Sequence, residues 1–179
     1  AGMALLADYS TRPGEIGAAP EQIAPASDGS PARSRLLMFV HPRCPCSTAS
    51  VAELARIMAR STDRVDATVY LFRPASEADA WTQGANREVA TSIPGVRVMV
   101  DPDGKIAESF GSNTSGDVLV YDAGGRLRFH GGITAARGHE GDSLGKSAAL
   151  AAILGDPVPT VDTPVFGCVL RPRPAPAAE

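Results

Sequence analysis

The spacing of apolar and polar positions changes period several times along this chain, and each change predicts an element. "RLLMFV", residues 35–40, is a short apolar run bounded by polar residues and proline, the pattern of a strand buried on both faces. Downstream, Val51, Leu54, Ala55 and Met58 fall at i, i+3, i+4 and i+7, which predicts a helix with Glu53, Arg56 and Arg60 turned away from its apolar stripe. "ATVYLFR", residues 67–73, reads as a second strand, and a helical crossover makes the two strands parallel neighbours. Residues 76–93 form a further helix candidate, with Trp81 as its largest apolar anchor and Pro94 marking its end.

The second half is richer in turn signals. "VRVMVDPDGKI" is a β-rich run closed by Asp-Pro-Asp-Gly, and "DVLVYDAGGRLRF" reads as a hairpin, with a short helix over 105–110 stopped by Gly111. "HGGITAARGHEGD" is too long for a simple connector, so it is a candidate functional loop. "SLGKSAALAAIL" predicts a terminal helix capped by Asp142 or Ser143 and ended by Gly155. Pro13, Pro20, Pro25 and Pro31 mark residues 1–33 as an extended lead-in or linker, ahead of a domain over 34–156. Residues 157–179 form an appendage whose end, "RPRPAPAAE", can hold neither helix nor central strand and is expected to be disordered. The alternation of strand and helix gives an α/β domain with a central mixed sheet flanked by helices.

Composition narrows the function. The chain has 179 residues, 44% hydrophobic and 21% charged, with a formal charge of -3, so it carries no field that would gather nucleic acid or an anionic membrane. No apolar run of about 18 residues is present, so no bilayer-spanning segment is expected. The opening "AGMALLADYS" is compatible with the remnant of a removed signal peptide or membrane anchor. Three cysteines are too few for a disulfide scaffold and point to chemistry.

Cys44 and Cys46, separated by Pro45, stand where the first strand gives way to the helix. With Cys44 as N-cap, Pro45 occupies the first helical position, where its missing N–H costs nothing. Free backbone N–H groups and the helix dipole then favour a thiolate, and Arg43 adds a positive charge. A Cys-x-Cys disulfide closes a small ring and is expected to be comparatively oxidising. On this reading Cys44, the more exposed thiol, is the nucleophile and Cys46 resolves the mixed disulfide, while His41 tunes the thiolate or carries a proton. "GKS" at 145–147 lacks the preceding glycine of a phosphate-binding loop, since Glu140 stands in its place.

The strand, the thiol motif at a helix start, "VDPDGKIAESFG", "VLVYDAGGRLRFHGG" and the final helix together resemble the thioredoxin-like superfamily, especially its peroxiredoxin-like and TlpA-type branch. "HPRCPC", "GGITAARGHEGD" and "TPVFGC" are similar to RedB-like proteins within it. The resemblance implies a thioredoxin-like fold and thiol–disulfide exchange without an organic cofactor. It also implies a protein thiol or disulfide substrate, a separate redox partner and an extracytoplasmic, periplasmic setting, with a membrane anchor on the full-length protein compatible with it. Aligned on Cys44, the family's resolving cysteine falls on Ser47, and its substrate-holding cis-proline falls on Ser115 and Gly116. The peroxidase pattern is missing, because Leu37 and His41 occupy its proline and threonine positions.

A metal reading competes with exchange. Thiolates suit Cu(I) or Zn(II), and Sco-type copper chaperones show that a thioredoxin-like domain can be built for copper; Cys44, Cys46, Cys168 and His130 would then be the ligand set. His139 borders the same loop as His130. Cys168 equally reads as a small buried hydrophobe, and a third alternative makes all three thiols incidental to a protein-binding domain.

Overall fold

The computed structural model describes residues 9–25, 33–61 and 63–171. The predicted disordered tail beyond Arg171 and the first eight residues of the opening segment lie outside that range. Six strands form one mixed sheet: β1 (Ser34–Val40), β2 (Val65–Arg73), β3 (Val96–Pro102), β4 (Asp117–Tyr121), β5 (Leu127–Gly132) and the two-residue β6 (Asp162–Thr163), in the order β3-β2-β1-β4-β5-β6. The first three strands are parallel, β4 and β5 run antiparallel as a hairpin, and β6 lies parallel to β5.

Alternation within β1 divides the core. Leu36, Met38 and Val40 face a cluster with Val51, Leu54, Ile57 and Met58 of α1 (Ser47–Ser61) and Ala148, Ala149, Ala152 and Ile153 of α4 (Leu144–Leu154). Leu37 and Phe39 face the other way, against Leu119, Tyr121 and Leu170. The strand is therefore apolar on both sides, as its unbroken run required. Ser143 caps α4, its hydroxyl accepting from the Lys146 N–H at 3.1 Å, and Gly155 ends the helix.

Three expectations change. The candidate helix over 76–93 is broken into a short 3-10 helix (Asp79–Thr82) and α2 (Ala85–Ser92), because Gly84 takes φ 141°, a conformation that stops a continuous helix. The regular part of α1 begins at Ser47, so Cys44 does not cap it directly; 3-10-type bonds from Ser47 N–H to Cys44 O and from Thr48 N–H to Pro45 O lead into it. Glu53 does not face outward but is fully buried, held by Lys146 Nζ at 3.0 Å and by the Gly141 N–H at 2.7 Å. The predicted short helix is present as α3 (Lys105–Ser109).

Both ends of the described chain lie against the sheet. The Gly17 N–H donates to Gly111 O, the Ile23 N–H to Gly125 O and the Tyr121 hydroxyl to Pro20 O. At the other end the chain continues from β6 to residues 167–170, which pass beside the 113–115 segment.

Candidate active site

The site forms at the C-terminal end of β1, where the chain turns toward α1. The Cys44 N–H donates to His41 O at 3.0 Å, closing the turn. Asn86, buried at the start of α2, directs Nδ2 toward three carbonyls of this loop: Cys44 O at 2.9 Å, Pro42 O at 3.2 Å and His41 O at 3.3 Å. Its Oδ1 accepts from the Thr48 hydroxyl at 2.9 Å, so one amide ties the loop to α1. The interruption at Gly84 lets α2 start at this point.

Cys44 is only 2% exposed, which overturns the expectation that it is the more accessible thiol. The C-terminal segment packs directly against it. Cys168 Sγ lies 2.9 Å from Cys44 Sγ, and the three cysteine sulfurs all fall within 4.8 Å of one another. Cys46 and Cys168 are both half-buried.

The electrostatics separate two of these thiols. Burial by itself raises the Cys44 pKa, but hydrogen bonds from Cys168 and Ser47 outweigh it and hold the group below its ordinary 9.0. Cys168 moves the opposite way, to about 12, because burial and the neighbouring Cys44 sulfur both disfavour a second thiolate. Of the two, Cys44 is therefore the more readily ionised and Cys168 the one that keeps its proton.

Ser47 and Ser115 complete the cradle. Ser115 Oγ accepts from the His41 N–H at 2.8 Å and lies 2.6 Å from Ser47 Oγ. The Ser47 hydroxyl has a single proton, and because it is given to the Cys44 sulfur, the Ser115 hydroxyl is the donor of the Ser115–Ser47 bond. Gly116, next in sequence, donates its N–H to Phe39 O at 2.8 Å.

The other candidates take different places. The His41 ring stacks on Phe72 and meets Trp81 edge-on, with Nδ1 accepting from the Arg43 N–H at 3.2 Å. Burial and the Arg43 charge lower its pKa, so the imidazole is neutral at pH 7. The Arg43 guanidinium lies 4.3 Å over the Trp81 ring. Pro45 sits in the turn between the first two cysteines. His130 is outside the sulfur cluster and places Nε2 3.0 Å from Asp117 Oδ2, which also accepts from the Ser112 hydroxyl. His139 is exposed. Asn86 and the donor role of Ser47 are residues that sequence reasoning missed; the Gly84 break is the signal that pointed toward the first.

No protein-family profile and no curated protein matches this chain. Solved structures do. A hypothetical protein from Sinorhizobium meliloti matches with a TM-score of 0.65 at 19% identity, over 90% of this chain and 97% of the other. An uncharacterised protein from Geobacillus kaustophilus gives 0.63 at 18% identity, over 90% and 94%. The exposed lipoprotein thioredoxin of Streptococcus pneumoniae gives 0.50 at 20% identity, over 69% and 85%. The fold is thioredoxin-like. Within this thioredoxin-like domain the sulfur cluster occupies the exit of β1, and no helix among the described residues is long and apolar enough to cross a membrane.

Proposed function

We propose that this protein is a thiol–disulfide oxidoreductase acting on protein thiols or disulfides outside the cytoplasm. The observation that carries the reading is the convergence of three cysteine sulfurs within 4.8 Å, one of them, Cys44, with its pKa lowered by hydrogen bonds from Cys168 and Ser47. Cys46 is the near-sequence thiol that can close a disulfide with Cys44. Ser115 and Gly116, expected to hold the substrate, are buried and the Ser115 N–H is bonded to Cys168 O, so they support the site from beneath, while His41, Arg43 and Pro45 shape the turn that presents the cysteines. The three thiols suffice for two-electron exchange without an organic cofactor. The exposed lipoprotein character of the pneumococcal neighbour supports an extracytoplasmic setting, where disulfide chemistry persists. The "TPVFGC" and "HPRCPC" phrases support the finer placement among RedB-like proteins.

The test is the oxidation state of the three cysteines across a graded thiol–disulfide buffer, read by alkylation and mass spectrometry without metal. The expected result is a reversible two-electron transition between about -120 and -270 mV. Absence of any disulfide over that span overturns the reading.

The cluster also favours a second reading, Cu(I) binding by Cys44, Cys46 and Cys168, because three sulfurs converge. His130 is engaged with Asp117 and lies outside that trio. Geometry ranks this reading lower: two thiolates on one ion at metal–sulfur distances of about 2.3 Å stand about 3.8 Å apart, so the 2.9 Å pair would have to spread. Titration of the reduced protein with Cu(I) against a competing chelator decides between tight binding and none.

A further inference from the structure

The C-terminal segment lies beside the cysteine turn as a docked peptide would. The Ser115 N–H donates to Cys168 O at 2.9 Å, the Leu170 N–H donates to Asn113 O at 2.8 Å, and Thr114 and Val169 form an antiparallel bridge. These are strand-type main-chain bonds, made to the loop before β4 rather than to an edge of the sheet. Gly167 is required for the approach, because a Cβ there would collide with the Ser115 carbonyl.

The segment is anchored on both sides of the cysteine. Val165 and Leu170 are each 1% exposed. The Gly14 N–H donates to Val165 O at 2.8 Å, and Arg137 Nη1 donates to Gly167 O. Arg171 donates to Asn113 Oδ1 at 2.9 Å and pairs with Glu108 at 3.1 Å. Between these anchors Cys168 lines an open groove of about 1310 Å³, shared with Pro13, Phe72, Pro74 and Asn113. Val169 beside it is 66% exposed. One sulfur of the 2.9 Å pair is thus enclosed and the other borders solvent.

We propose that Cys168 is the sulfur that meets the substrate: Cys44 and Cys168 form the working disulfide, and a substrate thiolate attacks Cys168 Sγ from the groove. This rests on the thiol–disulfide reading and deepens it. Attack forms a bond between the substrate sulfur and Cys168 Sγ and breaks the bond between Cys168 and Cys44, whose electron pair leaves with Cys44 as a thiolate. A second thiolate of the same dithiol substrate attacks the substrate sulfur held in the mixed disulfide, releasing Cys168 as a thiolate that takes a proton. One dithiol has become a disulfide, and one protein disulfide has become two reduced cysteines. Run in reverse, the same steps reduce a substrate disulfide. Attack on the groove side leaves Cys44, the better leaving group, to depart. Cys46 takes no part in these steps.

Trypsin separates the alternatives, because cleavage after Arg43, Arg56 and Lys146 puts Cys44 and Cys46 in the peptide 44–56 and Cys168 in the peptide 147–179. Oxidised wild-type protein, digested without reductant, is expected to yield the two peptides joined. Oxidised Cys46→Ser, mixed briefly with reduced glutathione and quenched with acid, is expected to carry the glutathione on 147–179. Cys168→Ser and Cys168→Ala, checked for folding by circular dichroism, are expected to oxidise a small dithiol at least tenfold more slowly. A disulfide confined to 44–56, glutathione on 44–56, or Cys168 variants that keep the full rate would overturn the inference and leave exchange through Cys44 and Cys46 standing. A wild-type protein that forms no disulfide overturns both.

Discussion

The hydroxyl oxygens of Ser47 and Ser115 lie 2.6 Å apart, joining the first residue of α1 to the loop before β4. Ser115 is fixed by the His41 N–H, so the order of donors runs from backbone through Ser115 and Ser47 to Cys44. Ser47→Ala removes the last donor. The Cys44 pKa is expected to rise, seen as an upward move of the midpoint in an ultraviolet thiolate titration. The exchange rate at pH 7 should fall roughly tenfold, consistent with a charge-assisted hydrogen bond worth about 1.5–3 kcal/mol. An unchanged midpoint would remove Ser47 from the cradle.

Asn86 offers an amide where the cysteine turn presents three carbonyls. Asn86→Ala is expected to cost about 1–3 kcal/mol in urea unfolding, because those buried acceptors lose their donor. Asn86→Asp should cost more, since it directs a carboxylate oxygen at carbonyl oxygens. Equal stabilities for the two variants would show that the amide donor is not what holds the turn.

The buried Glu53 is paired with two cations, Lys146 at 3.0 Å and Arg56. Lys146→Met leaves only Arg56 of the two on the carboxylate and is expected to destabilise the fold by about 1–3 kcal/mol. Combining it with Glu53→Met should recover much of that loss, because an apolar pair carries no charge to desolvate. Additive losses in the double variant would count against a desolvation origin.

Reduced protein should show a pH signature from its coupled thiols. The Cys44 pKa is depressed, so its contribution to stability is full above the ordinary 9.0 and is lost as pH falls through the lower folded value. The Cys168 pKa is raised, so its contribution is full below 9.0 and is lost as pH rises toward about 12. Together they favour the fold most near pH 9. The difference in urea midpoint between wild type and a Cys44→Ala/Cys168→Ala variant, followed across pH under reductant, should peak there; a flat difference would contradict the assignment.

Much of the fold was legible because its signals are local. The unbroken apolar run in β1, the Asp-Pro-Asp-Gly turn and the Ser143 cap each act within a few residues, and each element formed where its pattern placed it. The helix over 76–93 failed because apolar spacing cannot show that Gly84 adopts φ 141°. Glu53 misled because its polarity hides a cation supplied from α4, far along the chain. At the site, the Cys-Pro-Cys spacing marked the turn at which the sulfurs gather. The contact of Cys44 with Cys168 was unreadable because the segment packed against Cys44 comes from beyond β6, and its docking depends on the missing side chain at Gly167. The long glycine-rich loop was flagged, but nothing in it revealed that Arg137 would hold the Gly167 carbonyl.

The separation of Cys44 and Cys168 along the chain carries one more consequence. The two lie 124 positions apart, so a bond between them ties almost the whole domain into one covalent ring. Closing a ring of that size removes enough freedom from the unfolded chain to favour the native state by about 5 kcal/mol in the loop-entropy treatment. A bond between Cys44 and Cys46 spans one residue and restricts the unfolded chain far less. Electron transfer at the surface of the groove would therefore set how tightly the entire molecule is fastened, and the melting temperature would report its redox state.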